Sequence, residues 1–168
     1  MDVKVYAERN AMRPWLTDLS RKGRIVLMLF PYDGHNPSGV QLATPSVVTA
    51  DSTWLGWDMT IPVTDMEGSE KFEQIRQIIR REKENVRDVP AGLISEQTEG
   101  DARHLDTAYK TGCRAFFTQD RRDILDHAGA LEELLGLRLF HPDEEERFMA
   151  FLAAANAARG EASSGSRD

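Results

Sequence analysis

The chain has 168 residues, 40% of them hydrophobic and 29% charged, which gives room for one globular core under a solvated surface and excludes the composition of a disordered protein. No apolar run of about 18 residues occurs and no basic-then-apolar leader opens the chain, so neither a membrane span nor a secretory signal is expected. A lone cysteine, Cys113, excludes a disulfide framework and a multi-cysteine zinc site and points to a reducing cytoplasm, while a net charge of −7 argues against nucleic-acid binding by a positive surface, though not against an enzyme that meets phosphates through metal ions.

Val3 to Tyr6 is β-branched and aromatic and predicts a first strand. Met12, Trp15, Leu16 and Leu19 then recur at helical spacing, with Pro14 in the first turn and Gly23 at the end. The apolar run from Arg24 to Phe30 reads as a buried strand, which completes a βαβ unit. Gly34 to Pro45 reads as a loop, Trp54 and Trp57 as core or cover, and Met59 to Val63 as a third strand at a sheet edge or end. Phe72, Ile75, Ile78 and Ile79 mark an amphipathic helix with Ser69 as its N-cap and Arg76, Arg80 and Lys83 on its polar side.

Leu105, Ala108 and Tyr109 predict a helix ending at Gly112, and Ala115 to Thr118 a short buried strand. Ile124 to Leu135 holds one or two helices closed by Gly136, Leu137 to Phe140 a last strand, and Phe148 to Leu152 a last helix. Residues 160–168 are small and polar, a frayed tail after a single domain over 1–159. Strands alternating with helices predict an α/β fold with a mainly parallel central sheet.

Ligands of such sheets bind beyond the carboxyl ends of the strands. Glu8 and Asn10 follow the first strand, Asp33 the second, and Asp120 and Asp123 the strand ending at Thr118; Asp101 opens the helix feeding that strand. Carboxylates crowded into one cleft repel, and divalent cations make the crowding tolerable; an all-oxygen set suits magnesium or manganese, not zinc. Each residue also has a local use: Asp101 in a capping box with Thr98, Asp120 as N-cap, Asp33 as a turn residue, Glu8 as a surface charge. Cys113 reads as a packed residue; His104, one turn after Asp101, reads as a helix-surface residue, with assistance to metal binding as the alternative.

The stretch from Asp101 to Asp120 resembles the C-terminal half of PIN domains, with Asp101, Ala108, Gly112, Thr118 and Asp120 in the places of that pattern and the likeness covering residues 99 to 145. The first strand, running into Glu8-Arg9-Asn10, has the shape of the family's opening motif with Glu in the Asp place and Arg in the hydroxyl place. The resemblance implies a three-layer PIN-like sandwich and a metal-dependent ribonuclease, often the toxin of a toxin–antitoxin pair, with RNA as substrate and an antitoxin protein as partner. It further implies Mg²⁺ or Mn²⁺ held by Asp101 and Asp120, completed by Glu8 and Asp33, and oriented through Asn10, Thr118 and Asp123. Arg76, Arg80, Arg121 and Arg122 are the candidate phosphate contacts. Glu8 and Arg9 leave open a catalytically degenerate PIN-like binding module, and a phosphatase-like or nucleotide-binding α/β domain is a further alternative, although no P-loop or dinucleotide fingerprint occurs. The apolar last helix packs on its own core or serves a homodimer.

Overall fold

Short strands, most of them buried on both faces, build this molecule. The computed structural model describes residues 2–29, 39–42, 66–83 and 96–164. The strands are β1 (Lys4–Ala7), β2 (Val26–Leu29), β3 (Gln41–Leu42), β4 (Ala115–Phe117) and β5 (Arg138–Phe140), and the α-helices are α1 (Pro14–Arg21), α2 (Met66–Lys83), α3 (Glu96–Lys110), α4 (Ala128–Leu135) and α5 (Glu145–Ser164). The strands form one sheet in the order β3-β2-β1-β4-β5, and every pairing is parallel. β1 is central, with Val5 opposite both Leu27 and Ala115.

Successive strand side chains point to opposite faces, and each face has its own apolar cluster. Tyr6, Met28, Phe116 and Leu139 pack with residues of α2, α3 and α4, among them Ile75, Leu105 and Leu131. Val5, Leu27, Phe117 and Phe140 pack with Leu16 of α1 and Phe148 and Leu152 of α5. Coverage on both sides explains why the strands read as continuous apolar runs, without polar alternation. No helix among the described residues is long and apolar enough to cross a membrane.

Pro14 stands at the first position of α1, and Gly112 (φ +79°) and Gly136 (φ +66°) supply the left-handed turns after α3 and α4, as the sequence predicts. Several boundaries differ. The segment read as a loop from Gly34 to Pro45 contributes Gln41–Leu42 to the sheet as β3. Helix α2 begins at Met66, so Ser69 lies within it and is not its N-cap. Helix α3 begins at Glu96, so Asp101 sits in its second turn and does not open it. Helix α5 runs through Ser164, well into the expected tail. Trp54, Trp57 and the strand expected over Met59 to Val63 lie outside the described residues.

Cys113 is buried with its thiol 3.9 Å from the Met28 sulfur, and burial pushes its pKa up to about 12, so it is a packing residue with little thiolate at neutral pH. Helix α3 also carries a buried ion pair, Lys110 Nζ to Asp106 Oδ2 at 2.8 Å, with side chains 5% and 7% exposed. Burial raises the Asp106 carboxyl to about 6 from 3.8, against the opposing hydrogen bond and charge of Lys110. Because the folded state then holds this proton more tightly than the unfolded chain, its contribution favours folding most below about pH 4 and is lost as pH rises towards 6. Urea unfolding of wild type and Asp106→Asn from pH 4 to pH 7 should show their stability difference moving by about 2–3 kcal/mol in that direction. A difference independent of pH would mean that Asp106 does not titrate in this window.

Candidate metal centre

From β1 the chain builds outward through β2 to β3, then returns to the other side of β1 for β4 and β5. Strand order therefore reverses between β1 and β4, and the crevice beyond their carboxyl ends is where open parallel sheets bind ligands. Glu8 follows β1, and Thr118, Gln119 and Asp120 follow β4. Their backbones are pinned there: the Glu8 N–H donates to the Phe117 carbonyl and the Thr118 N–H to the Phe140 carbonyl, each at 3.1 Å.

Above this crevice Asp101, Asp120 and Asp123 each offer a carboxylate oxygen, all within 4.8 Å of one another and each half-buried. Three elements supply them: the second turn of α3, the exit of β4, and the turn that follows it. Asp120 also accepts the Asp123 N–H at 2.9 Å, so the capping expected of it caps a tight turn, not an α-helix. Its own N–H donates to Thr118 Oγ1 at 3.0 Å, and the Thr118 hydroxyl donates to Glu8 Oε2 at 3.0 Å.

The donor set fits a hard divalent cation. Oxygens placed about 2.1 Å from an octahedral ion lie roughly 3–4 Å apart, so a spread of 4.8 Å needs only small side-chain adjustments to close. At this spacing each ionised pair repels by on the order of 1–4 kcal/mol, between water-like and surface dielectrics, and a cation reverses that sign. With neither His nor Cys among the three, magnesium or manganese suits the site better than zinc.

An open cleft of about 500 Å³ adjoins this group, lined by Glu8, Arg9, Asn10, Asp101 and His104. His104 lies one helical turn after Asp101, and its Nδ1 is 2.6 Å from the hydroxyl of Tyr6. Tyr6 is fully buried and stacked on Phe116, with ring centroids 5.2 Å apart, so the core sets the imidazole orientation. Opposite the strand ends, the Gln119 amide donates to the Asn10 carbonyl at 2.6 Å. Another cleft, about 370 Å³ between α2 and α4, has no carboxylate among the described residues that line it.

The sequence-predicted residues thus divide. Asp101 and Asp120 meet, Glu8 joins them through Thr118, and Asn10 lines the adjoining cleft. Asp123, expected behind the other carboxylates, stands in the group with Asp101 and Asp120. Asp33 and the side chain of Arg80 lie outside the described residues. Arg76 pairs with Glu73 at 3.1 Å and lies over the Phe72 ring, while Arg121 and Arg122 are exposed directly after Asp120. His104, read as a helix-surface residue one turn after Asp101 with metal assistance as the alternative, lines the cleft, and the three-residue spacing puts both side chains on one helix face. Tyr6 gave a weaker signal, since a buried tyrosine hydroxyl needs a polar partner.

No family model, curated protein or solved structure matches the chain.

Proposed function

We propose that this protein is a metal-dependent nuclease of the PIN type, acting on RNA with Mg²⁺ or Mn²⁺ at Asp101, Asp120 and Asp123. The observation that carries the reading is the meeting of three carboxylates from separate elements at the crevice where strand order reverses. The two apolar clusters on opposite sheet faces support the three-layer arrangement that this reading implies. Held by Asp101, Asp120 and Asp123, a divalent ion would make water a stronger nucleophile and offset charge developing on a phosphodiester.

The chain's own residues have distinct tasks around it. Asp120 holds its ligand oxygen steady because its other contacts, to Asp123 N–H and Thr118 Oγ1, lock the turn. Arg9 in the cleft, with Arg121 and Arg122 beside Asp120, supplies the positive charge that a polyanion needs near an acidic site. His104, held by Tyr6, presents a rigid ring to whatever nucleotide occupies the 500 Å³ cleft.

Thermal melting with millimolar Mn²⁺ or Mg²⁺, paired with a cleavage assay on unstructured RNA, tests the reading. An ion present at about 100 times its Kd adds about 2.7 kcal/mol, equivalent to roughly 5–10 °C for a domain of this size. A chain whose melting temperature neither ion raises has no such centre. A rise without cleavage of any RNA would instead identify a metal-binding module that has lost catalysis, the reading prompted by Glu8 and Arg9.

A further inference from the structure

We propose, resting on the cation reading above, that Glu8 serves the centre as a positioning residue acting through Thr118 and not as a ligand. Three hydrogen bonds form one directed chain: Asp123 N–H to Asp120 Oδ1 at 2.9 Å, Asp120 N–H to Thr118 Oγ1 at 3.0 Å, and the Thr118 hydroxyl to Glu8 Oε2 at 3.0 Å. The Thr118 hydroxyl is fully buried and has a single proton to donate. Directing that proton at Glu8 turns the oxygen lone pairs towards the Asp120 amide. Glu8 therefore orients the turn that carries two of the three grouped carboxylates, and its own carboxylate is absent from the group.

Side-chain length is what makes this work. The Glu8 backbone is tied to the Phe117 carbonyl at 3.1 Å, so it cannot advance towards Thr118. An aspartate here is one methylene shorter, about 1.5 Å, which takes a 3.0 Å contact beyond hydrogen-bond range. The aspartate usual at this place in PIN domains would thus be the wrong length for this chain. Glu8→Asp, nominally a restoration, should weaken the centre.

The test measures Mn²⁺ affinity by calorimetry on the full chain, and amide hydrogen exchange at Asp120 and Asp123 without metal. Glu8→Gln keeps the acceptor and should bind Mn²⁺ within about threefold of wild type. Glu8→Asp and Thr118→Val should each lose about 10–100-fold, the range for hydrogen-bond partners of metal ligands, and Thr118→Ser should recover most of it. Exchange at the two amides should accelerate at least about tenfold in Glu8→Asp and Thr118→Val and stay near wild type in Glu8→Gln. Wild-type affinity in Glu8→Asp, or a loss in Glu8→Gln as large as in Thr118→Val, would overturn the proposal. If wild type binds no Mn²⁺ the cation reading fails, and the metal-free exchange pattern still decides whether Glu8 orients the turn.

Discussion

Asp120→Asn should lower metal-dependent RNA cleavage by at least about 100-fold and leave the fold intact. The substitution keeps the shape of the side chain and an oxygen able to accept the Asp123 N–H, so the turn after β4 persists. What it removes is negative charge at one of three grouped oxygens. Changing even a hydrogen-bond partner of a metal ligand costs about 10–100-fold, so neutralising a ligand should cost at least the upper part of that range. The melting-temperature rise with Mn²⁺ should shrink in parallel. Wild-type turnover in Asp120→Asn would remove Asp120 from the chemistry, and the nuclease reading with it.

The largest stability loss is expected on the sheet face opposite α3. Phe148 is fully buried on α5, and its ring lies 5.0 Å from Phe117, 5.4 Å from Phe140 and 5.8 Å from Trp15. Phe148→Ala should cost about 3–5 kcal/mol, transfer and cavity contributions together, or on the order of 10 °C in melting temperature. Because Phe148 belongs to the cluster on the sheet face away from α3, Mn²⁺ should still raise the melting temperature of the variant. A loss below about 1 kcal/mol would mean that α5 is not docked as the aromatic cluster requires. The contrast with Asp120→Asn separates what holds the fold from what equips it.

Three glycines explain where boundaries in the sequence misled. The sequence places helix starts at Ser69 and Asp101 and a tail from residue 160, yet Gly68, Gly100 and Gly160, beside or at those boundaries, each lie inside a helix, in α2, α3 and α5. A glycine costs a helix about 1 kcal/mol relative to alanine, which packing of the helix elsewhere offsets. The capping-box reading of Thr98 and Asp101 failed for the same reason, since a local cap competes with the continuation of α3. Strand β3 was invisible because two residues carry no periodicity, and only pairing with β2 makes Gln41–Leu42 a strand.

The alternation of strands and helices, the buried character of β1, β2, β4 and β5 and the presence of an acidic residue after β1 and after β4 all follow from the sequence by itself. Those features depend on neighbours within a few residues, and periodicity records them directly. Which carboxylates meet is another matter, because a shared pocket needs oxygens within about 5 Å, and that depends on β4 lying beside β1 and on how far α3 extends. Tertiary structure alone decided that Asp123 stands with Asp101 and Asp120, that the Thr118 hydroxyl links Glu8 to the turn carrying Asp120, and that the His104 ring meets the Tyr6 hydroxyl.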